Sequence, residues 1–220
     1  MVVNKGVFVV ISSKDLKKIQ EDLTVFDEMR EKMFETSRIV IRLSAWSIIQ
    51  MHRSEMERAK NTLKEASNNL SKIQGLVKKT PELRQVNSVL VAHQEYTEAM
   101  MLYGILKNGR IASLKEVGVD SKPYILGLLD LIGELRRVTL NHLRRGRADD
   151  ADRTLKTMEE LYENLLSLDH TAIVPTFRVK ADAARRIIES TRGDVITEVR
   201  RMSLEEEIRK LRFSMKSSSS

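Results

Sequence analysis

The chain has 220 residues, 41% of them hydrophobic and 31% charged, with no cysteine and a formal net charge of +7 at pH 7. That is apolar material enough for one sizeable core, and the lack of cysteine excludes a disulfide scaffold, a zinc-thiolate site and thiol catalysis. A pI near 9.6 favours polyanionic partners, nucleic acid first and an anionic membrane surface second.

Residues 1–11 read as an N-terminal extension. Its strand-like run from Val7 to Ile11 is too short for a signal-peptide core and lacks a small-residue cleavage pattern. No stretch approaches the roughly 18 to 20 apolar residues of a membrane span, so a soluble cytoplasmic protein without a membrane partner is expected. Ser12 and Asp15 have the spacing of a capping box and open the first helix. No strong breaker follows until about Ala66, which predicts one very long helix, or two in near-continuation bending after His52-Arg53. Pro81, in Thr80-Pro81-Glu82, marks the next helix start, and Asn108-Gly109 marks an end. Ser113 and Glu116 fit a capping box for a short helical turn. Periodic segments then run from about Pro123 to Arg145, Asp149 to Leu168 and Pro175 to about Ser190, the last with a charged extension through Arg212. Residues 213–220, ending in four serines, are expected to be a disordered tail. The predicted fold class is all-α, a bundle of six or seven helices forming a single domain over 12–212.

Two predicted helices carry carboxylates where apolar side chains dominate. Glu95 and Glu98 interrupt VAHQEYTEAMMLYGIL at i,i+3, and Asp130 and Glu134 interrupt YILGLLDLIGEL at i,i+4, so each pair shares a helix face. An unpaired buried carboxylate costs on the order of several kcal/mol, so these acids require cations. One source is a buried ion-pair network with Arg38 and Arg42 of the apolar stretch SRIVIRLSAWSII. The other is a divalent metal, and an all-carboxylate donor set suits Mg²⁺, with Mn²⁺ as its substitute, rather than zinc. A di-iron bundle needs Glu-x-x-His, and none of His52, His93, His142 or His170 has an acid three residues before it. Metal held by carboxylates in a basic protein points to phosphodiester hydrolysis.

Other candidates have plainer readings. Arg137, three residues past Glu134, is the best-placed phosphate contact. It belongs to a basic run with Arg136, Arg144, Arg145 and Arg147, and such runs are often solvated faces. His93 reads as a packing or supporting group, and Tyr96 and Tyr103 as core residues rather than base-stacking ones. The sequence has no Walker-type phosphate loop, no GxGxxG and no GxSxG elbow.

The strings QEYTEA (94–99) and YILGLLDLIGELRR (124–137) resemble the two signature helices of the translin superfamily, in particular the translin-associated factor X branch and its single-subunit archaeal relatives. His52-Arg53, MEELYENLL and FRVKADAARRIIESTRGDV extend the likeness, which covers roughly 34–194. The resemblance implies a seven-helix fold, assembly into a hollow homo-octameric barrel, and binding of RNA or single-stranded DNA inside it. It also implies a Mg²⁺-dependent endoribonuclease whose metal-binding catalytic acids fall on Glu95, Glu98, Asp130 and Glu134. His52, Arg53, Arg136 and Arg137 are the expected nucleic-acid contacts. The translin branch lacks the acid at the Asp130 position, which this chain keeps. The alternative is a non-catalytic translin-like protein that binds RNA or single-stranded DNA. Residues 1–11 and the charged segment beyond Asp194 depart from the family pattern.

Overall fold

The computed structural model describes residues 11–217. Among them are seven α-helices, two 3₁₀ turns and no strand: α1 (Ser13–His52), α2 (Met56–Lys79), α3 (Asn87–Asn108), α4 (Leu114–Val117), α5 (Ser121–Arg144), α6 (Ala148–Leu166) and α7 (Phe177–Ser217). The strand-like run expected over 7–11 falls, but for Ile11, outside the described residues.

The chain does not continue in line past His52. It reverses at Arg53 to Glu55, where Ser54 takes a left-handed backbone with φ 65°. Thr62 of α2 then donates to Gln50 at 2.8 Å and Thr80, which caps the end of α2, to Met29 Sδ at 2.8 Å, so the chain runs back along α1 toward its earlier residues. The expected near-continuous helix is therefore an antiparallel hairpin. A left-handed serine gives no breaker signal of the kind glycine or proline does.

Pro81 opens a 3₁₀ turn, Pro81–Gln85, rather than α3 itself, which begins at Asn87. Gly109, at φ 66°, closes α3 in the left-handed conformation that favours glycine. The capping box of Ser113 and Glu116 forms as expected and opens α4. At the other end, α7 is one helix through Ser217, so residues 213–217 are helical where a Ser-rich tail was expected. Its last turns contain neither glycine nor proline, and Lys210 pairs with Glu206 and Glu207 along the same face.

The helices form two groups, α1–α2–α3 and α5–α6–α7, joined where α3 packs on α5. The core sits along both groups: Met33 and Val40 of α1, Ile73 of α2, Met101 and Leu102 of α3, Leu131, Ile132 and Leu135 of α5, and Met158 of α6 are fully buried. Each contributes on the order of 2 kcal/mol by leaving water. Tyr96 is buried and Tyr103 packs on the same core, as their spacing suggested. At the α3–α5 crossing a Cβ on Gly127 would stand 2.7 Å from Thr97 Cβ and 2.8 Å from the Gln94 carbonyl oxygen. Only glycine lets the helices approach so closely there. None of the described helices is long and apolar enough to cross a membrane.

Candidate metal and nucleic-acid site

The α3–α5 contact brings the two acid pairs together. Glu95, Glu98 and Asp130 line one cleft of about 390 Å³, with Gln94, Gly133 and Lys180 among its other walls. Glu134, one turn beyond Asp130 on α5, adds its field to the same cluster and raises the carboxyls of Glu95 and Glu98. Burial is the first cause for both, followed by the negative charge of Asp130. Glu98, only 9% exposed, is pushed up to about 8. The positive charge of Lys180 opposes these shifts without cancelling them. The cluster thus has more carboxylate than internal cation.

The cations that do reach it are not Arg38 and Arg42. Both are exposed, and no ion pair among the described residues joins them to the acids. Lys180 of α7 places its Nζ 2.5 Å from Asp130 Oδ1, and Gln94 Nε2 donates to the other oxygen at 2.5 Å. His52, at the end of α1 with its side chain only 4% exposed, faces Glu134 Oε2 through Nε2 at hydrogen-bonding distance. Two acids are therefore held by internal partners. In this arrangement no three His, Asp or Glu side chains among the described residues already surround one point as a metal cage.

The other named residues divide. Arg137 is 54% exposed and 3.9 Å from Glu134, at the rim of the acid cluster. Arg136 instead ties α5 to α7, donating to Thr191 at 2.8 Å and pairing with Asp194 at 2.9 Å. Arg53 lies over the Trp46 ring, 5.7 Å from its centroid. His93 bonds the Val89 carbonyl of its own helix at 2.7 Å and faces a different cavity, beside Gln74 and Pro123. Burial lowers its pKa, which suits a packed neutral imidazole.

Sequence reasoning did not assign Lys180 or Gln94 to the site: Lys180 reads there as one of a basic run with Arg178, Arg185, Arg186 and Arg192 on the C-terminal helix, a pattern that is usually a solvated face. Lys180 had a readable signal. It sits beside the buried stripe Phe177, Ala181, Ala184 and Ile188, where a lysine needs an acidic partner.

The Translin family model matches residues 14–189. An uncharacterized protein of Methanocaldococcus jannaschii is 33% identical over 210 residues, covering 94% of this chain and 93% of its own length. Among solved structures, apo-NeC3PO superposes with a TM-score of 0.77 at 26% identity, covering 87% of this chain and 100% of its own. The AfC3PO–duplex RNA complex follows with a TM-score of 0.74 at 29% identity, over 84% of this chain and 96% of that one.

Proposed function

The chain belongs to the Translin family, and on that premise we propose that it binds RNA and cleaves it as a Mg²⁺-dependent endoribonuclease. The observation that carries the reading is the surplus of carboxylate at the α3–α5 crossing: three acids on one cleft, a fourth beside it, and two of them with raised pKa values. Such a cluster has the donor chemistry of a hard divalent ion. Glu95, Glu98, Asp130 and Glu134 would hold Mg²⁺, with Mn²⁺ as its substitute. Bound there, the ion supplies water activation and charge neutralisation for phosphodiester hydrolysis.

The chain's own residues do the rest. Gln94 orients Asp130 and His52 orients Glu134. Arg137, at the rim, holds a backbone phosphate over the acids. Single-stranded RNA is the expected substrate and single-stranded DNA a competitor, as the family resemblance implies. The structural relative solved with duplex RNA supports nucleic acid as the partner class. The proposed setting is a cytoplasmic homo-oligomer, an octameric barrel with the acids facing inward. An exposed stripe on α1, Leu16, Ile19, Leu23 and Phe26, supports self-association.

Asp130→Asn is expected to abolish RNA cleavage while leaving RNA binding and oligomer size unchanged. Loss of all three together would make the acids structural. A non-catalytic binding barrel is the second reading, favoured by the pairing of Asp130 with Lys180 and of Glu134 with His52, which satisfies two acids without metal. In that case RNA binding survives EDTA and no acid-to-amide change alters the RNA.

A further inference from the structure

Both carboxylate oxygens of Asp130 are occupied from within the chain, one by the Lys180 ammonium and the other by the Gln94 amide. The lysine is not there by accident of a loose surface chain. Its helix is fixed over α5 by the Arg136 contacts to Thr191 and Asp194, and buried Phe177, Ala181 and Ala184 lie within a turn of it. Its side chain is 29% exposed and that of Asp130 23%, so the pair is partly withdrawn from water. An ammonium on Asp130 and a metal ion coordinated by Asp130 compete for the same lone pairs, and the two cations repel each other.

Lys180 also lies on the wall between two cavities. It lines the acid cleft, and it lines a neighbouring cavity of about 660 Å³ that also contains Lys122, Asn87 and Ser121. An ammonium released from Asp130 therefore stands at the boundary a phosphate would cross to reach the acids. We propose that Lys180 is a built-in counter-ion that a divalent cation displaces from Asp130, and that the displaced ammonium then contacts a nucleic-acid phosphate. Cation loading and phosphate binding are thereby coupled. The proposal rests on the reading of the four acids as a metal site.

The test is a Mn²⁺ titration of the full chain followed by electron paramagnetic resonance, with wild type, Lys180→Gln, Lys180→Arg and Asp130→Asn compared. Wild type is expected to bind and Asp130→Asn to lose binding. Lys180→Gln is expected to bind roughly tenfold more tightly than wild type, which corresponds to about 1.4 kcal/mol. Lys180→Arg, which keeps the charge, should stay near wild type, and circular dichroism establishes that each variant is folded. In a second arm, a non-cleavable phosphorothioate oligonucleotide is expected to bind wild type more tightly with Ca²⁺ than with EDTA, and Lys180→Gln to lose that difference. Equal or weaker Mn²⁺ binding by Lys180→Gln, with wild-type binding that depends on Asp130, overturns the role of Lys180 alone. Absence of Mn²⁺ binding by every form overturns the metal site and this proposal with it.

Discussion

Glu98 shows how one residue registers the whole cluster. Burial, then Asp130, Glu95 and Glu134, push its carboxyl from the ordinary 4.5 up to about 8. Between those values the folded chain holds a proton that the unfolded chain has released, so stability falls as pH rises across the window. The contribution is fully present below pH 4.5 and lost above about 8. Glu98→Gln, which keeps the shape without the charge, is therefore expected to be more stable than wild type by on the order of 2 to 4 kcal/mol at pH 9. Little difference should remain below pH 4.5. Urea unfolding at the two pH values measures this, and an equal effect at both would contradict the assignment. The residue-scale balance also explains why Lys180 is drawn in: its ammonium offsets the Asp130 carboxylate that Glu95 and Glu98 would otherwise face unscreened, while His52 gives Glu134 a hydrogen-bond partner.

At the scale of elements, the acid pairs were legible because spacing alone places them. An i,i+3 pair on α3 and an i,i+4 pair on α5 present two side chains to one side whatever the partners are. The partners were not legible. Lys180 is 50 residues from Asp130 and His52 is 82 residues from Glu134, so only tertiary packing brings them in. Boundaries failed where the local signal was weak or misleading: a left-handed Ser54 ends a helical run without glycine, and Pro81 serves a 3₁₀ turn as readily as an α-helix. The crossing of α3 and α5 depends on a residue whose importance no pattern announces. Gly127→Ala would press a methyl group on Thr97 and on the backbone of Gln94, the residue that orients Asp130. It is expected to cost about 1 to 3 kcal/mol in urea unfolding and to weaken Mg²⁺ binding as the helices separate. An unchanged unfolding midpoint would mean the crossing is slack.

For the whole molecule, the net charge of +7 sets long-range attraction to a polyanion, while the cleft itself is lined by carboxyl groups. On the proposed reading, binding and chemistry are divided: basic surface and rim arginines would gather the strand, and the acids would hold the cation. The fold places that cleft where the two helix groups meet, and the exposed stripe on α1 lies well away in sequence from α3 and α5. Leu23, 58% exposed within that stripe, offers a test of assembly. Leu23→Glu is expected to reduce the oligomer to smaller species by light scattering while the helical signal persists. An unchanged mass would remove the stripe from the interface.

On the proposed reading, the acids at the α3–α5 crossing cut RNA with a divalent ion. Labelled single-stranded RNA incubated with wild type and with Asp130→Asn, in Mg²⁺, Ca²⁺ or EDTA, tests it most directly. Cleavage by wild type in Mg²⁺ alone, and by no form in EDTA, is the predicted result. Intact RNA in every lane, with the wild-type protein still bound to it, would contradict the claim and leave a nucleic-acid-binding barrel.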